Sequence, residues 1–289
     1  MAHLVELQVA AKTDTGLVRP HNEDSFAYSK EAGLVVLADG MGGYSAGEVA
    51  SAIATSTLHE SLTEQLRNHD WNGHVNHVKF VQQLLTRSVS RANTAILDSA
   101  RSEPRYRGMG TTLVAAIFHA DRVTVAHVGD SRAYRLRRGT LTQITRDHSV
   151  LQEQIDAGLI EAEQARFSPH RNLVTKAMGI DYEVQAEIHD HQTEPDDLYL
   201  LCTDGLSDML STKEIAQILH GTSSNLDAAC DALIARANEN GGKDNTSVIL
   251  VGVRTHSIAK QGVWTKALRR LKLWFKKRRK SRRSAQRKR

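Results

Sequence analysis

Four aspartates in this chain stand where an apolar run gives way to a turn. They lie in Val36-Leu37-Ala38-Asp39-Gly40, Val128-Gly129-Asp130-Ser131, Leu200-Leu201-Cys202-Thr203-Asp204-Gly205 and Gly241-Gly242-Lys243-Asp244-Asn245. One Asp-Gly at a strand end is usually a plain turn. Four such ends, with Asn22-Glu23-Asp24 beside another strand, suggest a purpose. Carboxylates gathered at one end of a sheet repel one another unless a positive charge sits between them. Oxygen ligands without paired His or Cys suit hard, octahedral cations such as Mg²⁺ or Mn²⁺. Gly40 and Gly205 leave room for a backbone carbonyl or a substrate to come close.

Such aspartates need a rigid frame. Apolar alternation and β-branched residues predict strands at Leu4–Ala11, Gly33–Ala38, Thr111–Phe118, Arg122–Val128, Ala133–Arg137, Glu183–His189, Leu198–Cys202 and Thr246–Val253. Short turns at His119–Asp121 and Arg138–Gly139 make antiparallel hairpins. Helical spacing marks Ala46–Leu66, Val78–Ser99, Thr212–Leu219 and Leu226–Asn238. The two long helices come together between strands, so they cover a sheet face. The order predicts an α+β protein with antiparallel sheets, not a βαβ repeat. Asp147–Lys176, with charges, weak helical pieces and Pro169, reads as a surface insertion that could gate a site.

The 289 residues can bury one large core or two small ones. No apolar run approaches the roughly 20 residues that span a bilayer, and the N-terminal stretch reads as a first strand, not a signal peptide. Two cysteines, Cys202 and Cys230, are too few for a disulfide framework, and the expectation is a cytoplasmic protein. The net charge of +5 hides a segregation. Up to Ala259 the chain has 23 basic against 33 acidic residues, a net −10, while the last thirty residues carry +15. That body gives no reason to expect nucleic-acid binding. The composition shift places a domain at 1–254 and a basic tail at 255–289.

Six motifs together carry a resemblance: Arg19-Pro20-His21-Asn22-Glu23-Asp24, Ala38-Asp39-Gly40-Met41-Gly42-Gly43, Gly110-Thr111-Thr112, Gly129-Asp130-Ser131-Arg132, Thr203-Asp204-Gly205-Leu206 and Lys243-Asp244-Asn245-Thr246. In order and spacing the chain resembles the bacterial branch of the metal-dependent protein phosphatases, type 2C. The resemblance implies a four-layer αββα sandwich of two antiparallel sheets flanked by helices, with a flap at about 147–176. It implies hydrolysis of phosphoserine and phosphothreonine in proteins by a water bridging two divalent cations, Mn²⁺ or Mg²⁺, opposing a bacterial Ser/Thr kinase. Carried over by position, Asp39 bridges both cations, the Gly40 carbonyl binds the second, and Asp204 and Asp244 complete the first. Glu23 and Asp24 hold outer-shell waters, and Asp130 with Asp204 takes a third, weaker cation. Arg19 matches the position that grips the substrate phosphate, a task for which a guanidinium fork is well shaped. Where many relatives have a His that protonates the leaving oxygen, this chain has Met41 and Tyr44, which leaves the general acid open.

Other features have plainer readings. Cys230 and Arg236 have the spacing of Cys-based phosphatases, but no glycine-rich loop surrounds them and the stretch is a helical apolar stripe. His74 and His77 read as a solvated loop and His127 as a packed strand residue, while His148 is the better catalytic candidate. In the tail, Trp264, Leu268, Leu271, Trp274 and Phe275 recur at near-helical spacing before a polybasic run. The tail is either a disordered solubilising segment or an amphipathic helix on an anionic membrane surface at the inner face. It could also fold back onto the acidic body, or bind an acidic partner or nucleic acid. Two alternatives to the phosphatase stand: an inactive phosphoprotein-binding scaffold, and a phosphodiesterase acting on nucleic acid.

Overall fold

The apolar runs pair into two antiparallel sheets in the computed structural model, which describes residues 6–43, 46–73, 76–161, 173–222 and 225–255. One sheet has the order β1 (Glu6–Asp14), β11 (Thr246–Thr255), β10 (Leu198–Cys202), β7 (Arg132–Arg137) and β8 (Thr140–Gln143). The other runs β2 (Asp24–Ser29), β3 (Leu34–Met41), β5 (Leu113–His119), β6 (Arg122–Val128) and β9 (Glu187–Gln192). A two-residue strand, β4 (Gly110–Thr111), continues the pairing of β3.

Three apolar layers hold these sheets. Val35, Leu37, Val125, Tyr199, Leu201 and Ile249 fill the space between them. Helices α1 (Ala46–Asn68) and α2 (His77–Ser102) cover the outer face of the β2–β9 sheet, placing Leu58, Leu62, Leu84 and Leu85 over Val36 and Ile117. Two shorter pieces, α3 (Val150–Asp156) and α4 (Asp204–Ser207), precede α5 (Thr212–Thr222) and α6 (Leu226–Glu239). The last two cover the opposite sheet through Ile215, Leu219 and Leu233 over Leu200 and Leu250. This is the four-layer αββα arrangement. Both faces of β10 are covered, which explains its unbroken apolar sequence. Each fully buried leucine contributes about 1.5–3 kcal/mol relative to exposure.

The expected strand at Glu183–His189 forms later, as β9. Asn93 Nδ2 takes the carbonyls of Asp181 (2.8 Å) and Tyr182 (3.2 Å), holding that stretch along α2 and away from β6. Two edge strands, β2 and β8, were not predicted because their short sequences lack a long apolar alternation. His77 is not a free loop residue. It begins α2, and its Nδ1 lies 3.0 Å from His69 Nε2 beside Trp71. The flap also needs correction at its start: Asp147, His148 and Ser149 are buried and belong to the core. Residues 162–172 of the expected flap, His74, Tyr44 and the tail from 256 lie outside the described residues.

Candidate active site

The strand register brings the predicted aspartates to one end of the sandwich. Asp39, near the end of β3, is directly opposite Asp24 at the start of β2. Asp204 follows β10, and Asp244 precedes its neighbour β11. Asp130 lies on the turn that carries the chain from β6 in one sheet to β7 in the other. Both sheets therefore contribute carboxylates.

Neutral side chains hold these acids in place. Asp24 Oδ2 accepts from Ser247 Oγ (2.6 Å) and Thr203 Oγ1 (3.0 Å). The Asp39 amide donates to Thr112 Oγ1 (3.1 Å), and the Thr112 amide donates back to the Asp39 carbonyl (2.9 Å). Asn245 joins three segments. Its Nδ2 donates to the carbonyls of Thr15 and His21, both at 2.9 Å, while its Oδ1 accepts the Glu23 amide at 2.8 Å. The loop bearing Arg19 and Glu23 is thereby fastened beside Asp244. None of Asn245, Thr112, Thr203 or Ser247 was assigned a role from sequence. Thr203 and Asn245 adjoin an Asp, and Thr112 falls in the Gly110-Thr111-Thr112 motif, while Ser247 carries no signal of its own.

The glycines serve close backbone approach. A Cβ on Gly40 would stand 2.1 Å from the Gly47 carbonyl oxygen at the start of α1, and one on Gly205 would stand 2.0 Å from the Asn245 carbonyl oxygen. A side chain at either position would force the helix or the strand end outward.

The electrostatics call for a cation. Burial pushes the Asp39 carboxyl well above its ordinary range, and Asp24, Asp204, Asp130 and Asp244 push it further. Asp204 is raised by burial, then by Asp130, Asp208 and Asp244. Burial likewise lifts Asp24 and Asp130 to about 6 each, and raises Glu23. Asp204 Oδ1 and Asp24 Oδ1 are buried with no hydrogen-bond partner. Buried acceptors of this kind are costly unless something positive meets them. The donor set is all oxygen and fits Mn²⁺ or Mg²⁺.

Glu23, Asp39, Asp130, Asp204 and Asp244 line a cleft of about 220 Å³ that also includes Arg19, Gly40, Met41 and Asn245, with Asp24 buried behind Asp39. Arg19 is half-exposed at its mouth, with Nη2 donating to Asp244 Oδ2 at 2.7 Å. A larger space of about 440 Å³ adjoins it through Asp130 and Asp204, walled by Arg132, Asp147 and α3. Among the described residues lining either space there is no histidine. His148, the favoured imidazole from sequence, is buried and tied to Gly129 and Glu187, so it does not reach the cleft. His127 is packed as expected. Cys230 is buried in α6, and burial lifts its thiol to about 12, which rules it out as a thiolate nucleophile.

An αββα sandwich with carboxylates converging from both sheets defines a class of metal-centred hydrolases. The chain belongs to the protein phosphatase 2C family, whose model matches residues 19–244. It is 37% identical over 243 residues to the serine/threonine phosphatase stp of Listeria welshimeri, covering 83% of this chain and 93% of that one. Identity to the serine/threonine protein phosphatase PstP of Mycobacterium tuberculosis is 39% over 247 residues, covering 86% of this chain and 45% of the relative. The crystal structure of a PstP catalytic domain in complex with two manganese ions superposes with a TM-score of 0.75 at 37% identity. That match covers 86% of this chain and 99% of the domain.

Proposed function

We propose that the chain is a metal-dependent protein-serine/threonine phosphatase. The observation that carries this reading is the convergence of Asp39, Asp130, Asp204 and Asp244 on one cleft, backed by Asp24 opposite Asp39, with buried acceptors lacking partners and Arg19 at the mouth. Asp39, the Gly40 carbonyl, Asp204 and Asp244 would hold two cations, with Glu23 and Asp24 orienting waters around them. Asp130 with Asp204 would hold an accessory third. Mn²⁺ or Mg²⁺ bound there would lower the pKa of a shared water and neutralise phosphoryl charge.

The chain's own groups do the rest. Arg19 presents a planar fork to two phosphate oxygens and orients the ester across the cleft. Asn245 keeps Arg19's loop against Asp244, so the guanidinium is placed before substrate arrives. Phosphorylated proteins are the substrates, and a Ser/Thr kinase is the enzyme whose products they are. Among the described residues no helix is long and apolar enough to cross a membrane. The net −10 of the body disfavours a polyanionic substrate such as nucleic acid. The strong charge asymmetry of the sequence supports a cytoplasmic protein whose basic tail meets an anionic membrane face or an acidic partner.

The test is phosphate release from a phosphothreonine peptide with Mn²⁺, for the parent chain and for Asp39→Asn and Asp204→Asn. Release should fall at least about 10²-fold in each variant. No release by the parent would favour the phosphoprotein-binding scaffold, and undiminished release in the variants would place the metals elsewhere.

A further inference from the structure

Two segments meet beside Asp130: the turn 127–133 that carries it and the stretch 144–148 that leads into α3. They are joined by bonds running in both directions. His127 Nε2 donates to the Arg146 carbonyl at 2.7 Å, and the Gly129 amide donates to His148 Nδ1 at 3.1 Å. The His148 amide returns to the Gly129 carbonyl at 2.9 Å. The two imidazoles stack, with centroids 4.8 Å apart and planes 13° from parallel. Arg132 grips Asp147 through Nε and Nη2, and the Ala133 amide donates to Thr145 Oγ1.

The partners fix the protons. A carbonyl only accepts, so His127 carries its proton on Nε2, and its Nδ1 is left buried without a partner. An amide only donates, so His148 Nδ1 is bare and its proton is on Nε2, which faces Glu187 Oε2 at 3.3 Å. His127, His148 and Glu187 offer ligand atoms within 4.8 Å of one another, a grouping that could suit a metal. The proton assignment argues against it, because His148 could ligate through Nε2 only as an imidazolate. The lone pair on Nδ1 serves the backbone instead.

Gly129 is where that lone pair matters. Its φ of +99° is a left-handed conformation, and a Cβ there would meet Thr112 Cβ at 2.8 Å. Asp130 is buried directly after it, and Ser131 Oγ lies 2.7 Å from Thr112 Oγ1, which also accepts the Asp39 amide. A shift of the Gly129 amide would therefore re-aim Asp130.

We propose that His148 is a positioning residue whose Nδ1 lone pair holds Gly129 and so fixes Asp130 for an accessory cation. The same bond ties that cation's site to α3, which walls the larger cleft. The inference rests on the assignment of Asp130 to such a cation.

The test measures Mn²⁺ binding to the full chain by calorimetry and by the electron paramagnetic resonance of free Mn²⁺. His148→Asn keeps an acceptor on Cγ, where Nδ1 stood, and should bind Mn²⁺ as the parent does. His148→Gln keeps only a donor near Glu187 and should weaken the loosest cation about ten- to hundredfold, leaving the tight ones unchanged. Asn and Gln behaving alike, or a loss spread over all cations, would overturn the proposal. Asp130→Asn separates the two layers of the argument. If it leaves every cation bound, the assignment of Asp130 fails and the proposal with it. If it alone removes the weak cation, only the coupling through His148 fails. Should His148→Gln not fold, nitrogen-15 spectra of the parent decide the matter: an Nε2–H tautomer at His148 supports the clamp, and an Nδ1–H tautomer or an imidazolium overturns it.

Discussion

Asp24 and Asp39 stand directly opposite each other across the β2–β3 pairing, two carboxylates where a sheet would ordinarily place a neutral or complementary pair. After burial itself, Asp24 is the strongest influence raising the Asp39 carboxyl. Thr203 and Ser247 hold Asp24 in this position, so the repulsion is built into the fold. Replacing Asp24 with Asn keeps an acceptor for both hydroxyls and removes the charge. In the metal-free protein at pH 7, Asp24→Asn should stabilise the fold by about 1–2 kcal/mol, since one pKa unit corresponds to about 1.4 kcal/mol. Its Mn²⁺-supported turnover should fall. Urea unfolding in EDTA and phosphate release in Mn²⁺ measure the two effects.

The acid cluster also sets a pH dependence. Burial raises Asp24 and Asp130 from 3.8 to about 6. A folded value above the unfolded one means the metal-free fold binds protons more tightly than the unfolded chain. Its stability is then full below about pH 4 and declines as pH rises toward 6. Histidines such as His119, lowered by burial to about 4, act oppositely but equally with and without metal. The rise in Tm on adding Mn²⁺ should therefore be small at pH 5 and grow toward pH 7. Scanning calorimetry in EDTA and in Mn²⁺ gives the difference, and a rise that shrinks with pH contradicts the cluster's role.

Asn245 makes three bonds that no other side chain type can reproduce. Asn245→Asp keeps the acceptor for the Glu23 amide and loses both donors, whereas Asn245→Ala loses all three. At about 1 kcal/mol for each bond, the Ala variant should lose about 3 kcal/mol of stability. Both should raise KM for a phosphopeptide, because Arg19's loop is freed. Denaturant melts and steady-state kinetics on one preparation check this.

Met41 lines the cleft at a position where the resemblance leads one to look for an imidazole. Met41→His should raise turnover of phosphothreonine peptides, whose alkoxide leaving group needs a proton, by at least about tenfold near pH 6–7. p-Nitrophenyl phosphate, with its good leaving group, should respond far less. Equal gains on both substrates would mean that the new side chain acts in some other way.

The gathering of the aspartates at one end of the sandwich was legible because Asp39, Asp130 and Asp204 stand at or just after apolar strands, while Asp244 stands just before one. The buried strands β6 and β10 were placed to the residue for the same reason. The hydroxyls and amide that hold the ligands were not legible: Thr112, Thr203, Ser247 and Asn245 are small polar residues at strand ends, where turns use the same types. β9 was misplaced because Asn93, 88 residues before Asp181, takes the carbonyls that a strand would have paired. Asp147 and His148 read as surface because they are polar. Their partners Arg132 and Gly129 lie across a turn, and only the fold brings them together.

The carboxylates come from both sheets, and this has a mechanical consequence. A cation held between Asp39 and Asp204 would act as a rivet through the sandwich, adding to an apolar interface that at this end is otherwise bridged by neutral hydrogen bonds such as Ser247 to Asp24. Depletion of manganese would then shorten the protein's lifetime as well as stop its chemistry, since the open end of the sandwich becomes the first place a protease can enter. Limited proteolysis in chelator should show cleavage beginning at the cleft and ceasing when Mn²⁺ is restored.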